Sequence, residues 1–154
     1  MSFFAWEACW VKVLTLDQLQ RRGWLLVNTC ALCKEELESI DHIFLHCAMA
    51  RIIWLLVFSL FGIPWVISAS VWDTLLGWQG SFVGRKRRKA WRAAPLCNFW
   101  TKWKERNGKV FEDEEMSGQS LKSYFLKNLA LWIRVYINGR SLSLIDCVDW
   151  LGSC

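Results

Sequence analysis

The sequence lacks the residue patterns that mark most enzyme active sites. It has no Ser-His-Asp constellation, no glycine-rich phosphate loop and no paired polymerase aspartates. Hydrolase, nucleotide-hydrolysing and polymerase chemistry therefore have no visible catalytic group. The acidic run at residues 112–115 lies on a connector, where clustered carboxylates are usually solvated. We expect a protein that is not an enzyme.

Charge is missing from one long stretch, which raises the question of a membrane span. Residues 52–72 carry no charged side chain over a length that could cross a bilayer. Gly62 and Pro64 interrupt this run, and its second part carries polar residues and leads into Asp73. We expect a buried core helix here and rank a membrane-embedded role behind it.

Disulfide-scaffold and disordered classes are disfavoured as well. The seven cysteines are odd in number and irregularly spaced, and no signal peptide is visible, so a secreted disulfide framework is not expected. A reducing compartment would leave such thiols available to a metal. Hydrophobic residues make up 54% of the 154 residues, with 12 Trp, and this content favours collapse into a core.

What the sequence does contain is a metal-knuckle spacing in the stretch CALCKEELESIDHIFLHC, residues 30–47. Cys30 and Cys33 form a C-x-x-C pair, which places two sulfurs on one ion at a tight turn. His42 follows in the first turn of a predicted helix, and both histidines of the chain lie close to the third cysteine of the stretch. Since protein would fill all four positions, we predict structural Zn²⁺.

The fourth ligand is either His46 or Cys47. His46 is four residues from His42 and shares its face on a regular helix, whereas Cys47 is five residues away and about 140° off that face. Helix geometry mildly favours His46, but the helix could also begin after His42, so spacing alone leaves both ligands open.

The remainder of the chain is predicted to be helical. TLDQLQRRG indicates a short helix, Ser39 is a candidate cap for a long helix that ends near Gly62, and Ser70 caps a third helix. A fourth helix runs from Trp91 to about Asn107, kinked or started by Pro95 and stopped by Gly108. Ser117 or Ser120 caps the last helix, whose core stripe is Leu121, Phe125, Leu129, Trp132 and Tyr136.

The formal charge of +5 is concentrated in one segment. Residues 85–106 hold nine Lys or Arg and one Glu, a net of +8, which leaves −3 elsewhere. A local basic patch indicates an anionic partner, because cations neutralise phosphates and release counterions. We predict sequence-independent contact with RNA or DNA for the run Arg85, Lys86, Arg87, Arg88, Lys89 and Arg92.

Two other interpretations of this segment stay open. The run could be a solvated helix end, or it could be a nuclear localisation signal. Trp91, Trp100 and Trp103 interleave with basic residues and could stack on unpaired bases. Their helical spacing beside Phe99 favours the core instead.

The stretches LTLDQLQRRGW, CALCKEELESIDHIFLHCAMARIIW and FWTKWKERNGKVF together resemble the zinc-binding domain near the C-terminus of plant LINE-type (non-LTR) retrotransposon reverse transcriptases. That family's pattern is Cys-x2-Cys-x8-His-x4-Cys with a following Trp, here Trp54, and a later Trp-x-x-Arg-Asn segment ending in an aromatic. The later segment matches at Trp103, Arg106, Asn107 and Phe111, and the tail IDCVDWLG is also similar to the ends of plant copies.

The resemblance implies a ligand set and a domain layout. It favours Cys47 over His46 as the fourth ligand, so the implied set is Cys30, Cys33, His42 and Cys47. It places a reverse-transcriptase-type zinc-binding domain at residues 1–66 and a helical extension at residues 67–154. The extension contains the basic segment 85–106 and the acidic connector 112–115. The fold class expected is mainly α, with a small zinc-knuckle hairpin leading into a long helix and a helical extension behind it.

Polymerase and nuclease catalytic motifs of that family are absent, so we expect a truncated, stand-alone, non-catalytic copy. The expected partners are RNA or DNA and a reverse transcriptase core that covers exposed apolar surface; no small-molecule substrate is expected. The expected location is intracellular, in the nucleus rather than the cytoplasm. The alternative functions are a structural or protein-interaction helical domain, or membrane association through residues 52–72.

Overall fold

The computed structural model describes residues 12–64, 66–78, 83–85, 87–112 and 114–137. The described residues form five α-helices and one π-helical turn, with no β-strand among them, which confirms the mainly α class. In chain order the elements are α1 (Leu16–Arg21), the π-helical turn (His42–His46), α2 (Ala48–Phe61), α3 (Val71–Trp78), α4 (Arg88–Phe111) and α5 (Gly118–Ile137).

Polar caps and a glycine set several helix ends where the sequence predicted them. The hydroxyl of Ser70 accepts the N–H of Asp73 at 3.1 Å at the start of α3. Ser117 caps α5, since its hydroxyl accepts the N–H of Ser120 at 3.2 Å. Gly62 ends α2 with φ +65°, a left-handed conformation that a glycine adopts without a Cβ penalty.

Two predicted helices have different bounds in the structure. The predicted long helix is broken at Cys47, whose ψ of 139° is extended, so a π-helical turn and α2 replace it. The helix predicted to begin at Trp91 begins at Arg88 and continues beyond Gly108 to Phe111. A helical glycine costs only about 1 kcal/mol, and the packing of α4 against the core outweighs that cost.

The core lies where the π-helical turn, α2 and α4 meet. Trp54 on α2 is 1% exposed, and its indole N–H donates to the carbonyl of Phe44 at 2.8 Å. The ring of Phe99 on α4 lies 5.0 Å from the ring of Phe44 and 6.0 Å from that of Trp54. Burying an aromatic side chain contributes about 1.5–3 kcal/mol, so these rings hold the π-helical turn against both helices.

α5 packs on α4 through the predicted stripe. Leu121 and Phe125 are fully buried and Leu129 nearly so. The thiol of Cys97 on α4 donates to the carbonyl of Phe125 at 3.8 Å. Tyr136, the last member of the predicted stripe, lies outside the residues whose side chains are described.

A stacked tryptophan pair joins α3 to α4. The rings of Trp78 and Trp91 lie 4.0 Å apart with an interplanar angle of 10°. Pro95 lies inside α4 and has no N–H for the carbonyl of Trp91, one turn earlier. The indole N–H of Trp78 donates to that carbonyl at 2.8 Å, and the indole N–H of Trp91 donates to the carbonyl of Trp78 at 3.2 Å. A tertiary hydrogen bond thus replaces the helical one that proline removes.

The uncharged run at residues 52–72 does not form one helix. α2 ends within it at Phe61, and the next helix begins at Val71. Ile53 and Val57 are fully buried in the core, as expected for a core helix. Across the described part of the chain, no helix combines the length and the apolar character needed to cross a membrane.

Several contacts cross the domain boundary predicted after residue 66. The guanidinium of Arg106 on α4 binds the carboxylate of Glu38 through two contacts, of 2.7 and 3.4 Å, and both side chains are buried. Glu38 also accepts the N–H of Leu16 at 2.8 Å, which joins α1 to the same point. The ammonium of Lys109 donates to the carbonyl of Leu32 at 3.2 Å. The boundary itself stays a prediction, but side chains of the extension clearly hold the knuckle.

Candidate metal centre

The first two candidate ligands lie on a tight turn. The N–H of Cys30 donates to the carbonyl of Glu36 at 2.7 Å, and the N–H of Lys34 donates to the carbonyl of Cys30 at 2.8 Å. Lys34 has φ +61°, a left-handed conformation that is unfavourable for a residue with a Cβ. Among the described residues the predicted knuckle hairpin is therefore a hydrogen-bonded reversal without flanking strands, and Cys33 lies within it.

The other two candidate ligands are joined by the π-helical turn. The hydroxyl of Ser39 accepts the N–H of His42 at 3.1 Å where this turn begins. The N–H of Cys47 then donates to the carbonyl of His42 at 2.7 Å. This hydrogen bond spans five residues, whereas an α-helix spans four. The wider turn brings Cys47 round to the side of His42. The preference for His46 assumed a regular α-helix, and this segment does not form one.

The structure brings the donor atoms of four side chains to within 4.8 Å of one another: Cys30, Cys33, His42 and Cys47. The sulfurs of Cys30 and Cys47 are 4.0 Å apart, and the sulfur of Cys33 is 3.3 Å from Nε2 of His42. Tetrahedral zinc with Zn–S of about 2.3 Å and Zn–N of about 2.0 Å separates two sulfurs by about 3.8 Å and a sulfur from a nitrogen by about 3.5 Å. The donor set therefore fits a tetrahedral zinc ion in both chemistry and spacing.

His46 lies apart from this cluster. Its Nε2 is 3.1 Å from the carbonyl of Ala69, on the segment that leads into α3. The imidazole is thus engaged with the backbone on another side of the turn, whereas Cys47 supplies the fourth donor atom of the cluster.

The ligand side chains influence one another electrostatically. The hydrogen bond with Cys47, together with burial, raises the pKa of the Cys30 thiol. The same hydrogen bond lowers the pKa of Cys47, and the backbone amides of Met49 and Ala50 lower it further. Cys47 therefore loses its proton more readily than Cys30. Metal binding needs every ligand deprotonated, so it displaces the proton that Cys30 retains.

His42 is oriented by a carboxylate. Its Nδ1 lies 3.1 Å from Oε2 of Glu36, which leaves Nε2 directed at the cluster. Burial lowers the pKa of His42, and the attraction of Glu36 only partly offsets this. The imidazole is therefore held neutral, the form that binds a metal.

Sequence reasoning missed the part that α4 takes in this region. Lys102 and Arg106 were counted in one basic segment, but they are 0% and 3% exposed. The signal was present, because both residues fall at helical spacing from Phe99 and so belong to the buried face of α4. Arg106 is one of the residues that match the later segment of the family pattern, and it binds Glu38 inside the knuckle. Its guanidinium lies 5.1 Å from the ring centre of Trp103.

The predicted nucleic-acid-binding run surrounds the start of α4. Its described members are exposed, and Lys86 lies outside the described residues. Arg87 is partly anchored, because its guanidinium donates to the carbonyl of Leu60 and lies 5.4 Å from the ring centre of Phe61. Of the neighbouring tryptophans Trp91 is in the core, as its spacing favoured. The exposed members are Arg85, Arg87, Arg88, Lys89 and Arg92.

Comparison with known proteins agrees with this geometry. The family model described as zinc-binding in reverse transcriptase matches residues 1–54, a segment that contains all four residues of the cluster. No curated protein and no solved structure matched the chain. The family match and the Cys/His cluster together support a zinc-binding module related to reverse transcriptases in the N-terminal part of the chain.

Proposed function

We propose that this chain is a non-catalytic, zinc-binding module that associates with nucleic acid, of the type found near the C-terminus of plant LINE-type reverse transcriptases. The observation that carries the proposal is the cluster of three thiols and one imidazole with its tetrahedral spacing, inside the segment that matches the family model. The exposed basic run around the start of α4 supports the nucleic-acid part of the proposal.

In this proposal the metal is structural Zn²⁺ held by Cys30, Cys33, His42 and Cys47. Bound zinc contributes folding free energy by cross-linking the tight turn to the π-helical turn. With four protein ligands the metal would have no open position for a water or a substrate, so its proposed role is structural.

Elemental analysis of protein purified without chelator tests the metal assignment. We expect one zinc per chain in the wild type and in His46→Ala, and none in His42→Ala or Cys47→Ala. His46→Ala is the matched control, because it removes an imidazole one turn from His42 that lies outside the cluster. Absence of zinc from the wild type, or its loss in His46→Ala with retention in Cys47→Ala, would refute the assignment.

The electrostatics of the α4 start favour an anionic partner. Arg85, Arg88 and Arg92 are exposed, and no ion pair of the described residues involves them. Cations at a helix N-terminus oppose the helix dipole, so this run is unfavourable for α4 by itself. A bound phosphate backbone would offset both the mutual repulsion and the dipole, which makes RNA or DNA the partner that the charge pattern fits.

The salt dependence of binding to single-stranded RNA and to duplex DNA tests the nucleic-acid part of the proposal. For a single strand the slope of log K against log salt is about −0.7 per phosphate neutralised. We expect the triple variant Arg85→Gln, Arg88→Gln, Arg92→Gln to bind more weakly with a flatter slope, while its zinc content is unchanged. The control triple changes exposed basic residues elsewhere: Arg21→Gln, Arg22→Gln and Lys127→Gln. Equal slopes for the two triples would contradict the assignment of this surface.

A second candidate function, a protein-interaction domain, is favoured by one specific observation. The segment after α1 exposes apolar side chains, with Trp24 62%, Leu25 101% and Val27 84% exposed. In the proposal this segment meets a reverse transcriptase core, and the protein works inside the nucleus. Salt-independent binding to such a core, without measurable binding to nucleic acid, would favour the interaction domain over the nucleic-acid module.

A further inference from the structure

A buried lysine lies beside the candidate metal centre. Lys102, in the second half of α4, is 0% exposed. Its ammonium donates a hydrogen bond to the carbonyl of Met49, in the first turn of α2. Met49 follows Cys47 by two residues, so this hydrogen bond joins α4 to the segment that carries the fourth ligand.

No carboxylate in the described part of the chain forms an ion pair with Lys102. Glu105 is the acidic residue nearest to it along α4, but the Oε1 of Glu105 accepts the N–H of Met116 at 3.0 Å. Burying an ammonium without a counter-charge costs several kcal/mol, and one backbone carbonyl does not offset that cost. The charge of Lys102 therefore needs compensation from another group.

The cluster can supply that compensation. Three thiolates and one neutral imidazole around a divalent cation leave a net charge of −1, and the same four residues are buried or nearly so. Burial lowers the pKa of Lys102, and attraction to Cys47 and then to Glu105 raises it without offsetting the effect of burial. The negative centre and the buried ammonium thus lie on the two sides of one interface, between α2 and α4.

We propose that Lys102 is the counter-charge of the metal centre, a positioning residue that stabilises the negatively charged Cys₃His–Zn²⁺ site and couples metal binding to the docking of α4 on α2. This inference rests on the metal half of the proposed function. It assigns to Lys102 a role that is separate from nucleic-acid contact, although the residue belongs to the basic segment.

The role predicts opposite effects of one substitution in two states. Lys102→Met removes the charge and keeps an apolar side chain of similar length, so it relieves an uncompensated charge in the metal-free protein. In the metal-loaded protein it removes the partner of a negative centre. Loss of an outer partner of a metal site typically weakens metal binding by about 10–100-fold, and we expect a loss in that range.

Zinc affinity, measured by competition with a chelator, provides the test. Lys102→Met and Lys102→Gln should both bind zinc about 10–100-fold more weakly than the wild type, since glutamine can keep the hydrogen bond to Met49 but not the charge. Lys104→Met, an exposed lysine of the same helix, is the control and should bind as the wild type does. Wild-type affinity in Lys102→Gln or in Lys102→Met would overturn the proposal.

A second measurement separates the effect of charge from that of packing by making the metal centre neutral. Cys33→His gives a Cys₂His₂ centre that is neutral with a divalent cation, and cobalt absorption reports whether the intended ligand set forms. Lys102→Met should weaken cobalt binding in the wild-type background and do so much less in the Cys33→His background. Equal losses in both backgrounds would show a packing role and overturn the proposal. A wild type that binds no metal would refute the metal assignment itself, whereas zinc-loaded wild type with unchanged Lys102 variants refutes only this inference.

Discussion

The two halves of α4 carry the same kinds of basic residue in opposite settings. Arg88 and Arg92, in its first half, are exposed and point away from the core. Lys102 and Arg106, in its second half, are buried and bind groups of α2 and of the knuckle. Solvent screens the first pair, whereas the second pair is held where a charge without a partner is costly. Basic residues of one helix therefore differ in function according to what lies opposite them.

The comparison corrects the interpretation of residues 85–106 as one basic segment. Its net charge of +8 describes the sequence, but two of its basic residues, Lys102 and Arg106, are buried, and in the second half of α4 only Lys104 is exposed among the basic residues of this segment. Lys102 and Arg106 are structural, and a phosphate cannot reach a side chain that is 0% or 3% exposed. The predictions below test this division, from the largest expected effect to the smallest.

The largest loss of stability is expected for a change in the knuckle, which the second half of α4 contacts through Arg106. Cys33→Ser should lose the metal and much of the N-terminal fold, because the binding free energy of a structural site is folding free energy. Metal content and thermal unfolding measure this. The control is Cys97→Ala, a buried thiol outside the cluster, which should keep the metal. Full zinc stoichiometry and unchanged stability in Cys33→Ser would contradict the site.

Arg106→Met should be the next most damaging change. It leaves the carboxylate of Glu38 buried without its cation, a loss of about 3–5 kcal/mol in the free energy of unfolding. Arg88→Met, in the exposed half, should change that free energy by about 1 kcal/mol or less. Denaturant unfolding of both variants gives the comparison. Adding Glu38→Gln to Arg106→Met should recover part of the loss, and equal effects of the two arginine variants would erase the distinction between the halves.

The pH dependence of stability should also separate the buried Lys102 from an exposed lysine of the same helix, Lys104. Burial lowers the pKa of Lys102 from 10.5 to about 7, although Cys47 and Glu105 attract its charge. Between these pH values the unfolded chain binds more protons at this residue, so its contribution to the free energy of unfolding rises with pH from about 7 to about 10.5. Unfolding of the metal-free protein at several pH values should show this rise in Lys104→Met and a smaller rise in Lys102→Met. Identical profiles would contradict the lowered pKa of Lys102.

Pro95 lies in α4 between the exposed and the buried basic residues. It leaves the carbonyl of Trp91 without a helical hydrogen bond, and this carbonyl provides a further test. Trp78→Phe removes the indole N–H that satisfies the carbonyl of Trp91, which should cost about 1–3 kcal/mol beyond the lost ring packing. In a Pro95→Ala background the alanine N–H can bond that carbonyl, so Trp78→Phe should cost less. Equal costs in the two backgrounds, measured by denaturant unfolding, would exclude this compensation.

The smallest effect is expected in the exposed half. Arg88 lies in the first turn of α4, where a cation opposes the helix dipole, so Arg88→Gln should raise the free energy of unfolding by about 0.3–1 kcal/mol. The same variant should lower affinity for nucleic acid. Arg134→Gln, at the last turn of α5, should have the opposite effect on stability. A loss of stability in Arg88→Gln would indicate a structural role that the exposed half is not expected to have.

Much of the fold could be predicted because it depends on neighbours in the sequence. Ser70, Gly62 and Ser117 set helix ends through bonds within one turn, and Leu121 and Phe125 lie on the buried face that their spacing indicates. The end of α4 was predicted wrongly at Gly108, because tertiary packing overrides a weak local preference there.

By itself the sequence determined the chemistry of the centre: three thiols and an imidazole on two short segments, close enough along the chain for local turns to bring them together. Residue spacing left His46 and Cys47 open and the family resemblance favoured Cys47; the tertiary structure brings Cys47 into the cluster through a π-helical turn, which the packing of Phe44 and Trp54 supports and spacing alone does not specify. It also decided which groups lie opposite Lys102. Helical spacing from Phe99 indicates that Lys102 is on the buried face of α4, but the groups that offset the cost of burying its charge lie far away in the chain, and no local pattern encodes them.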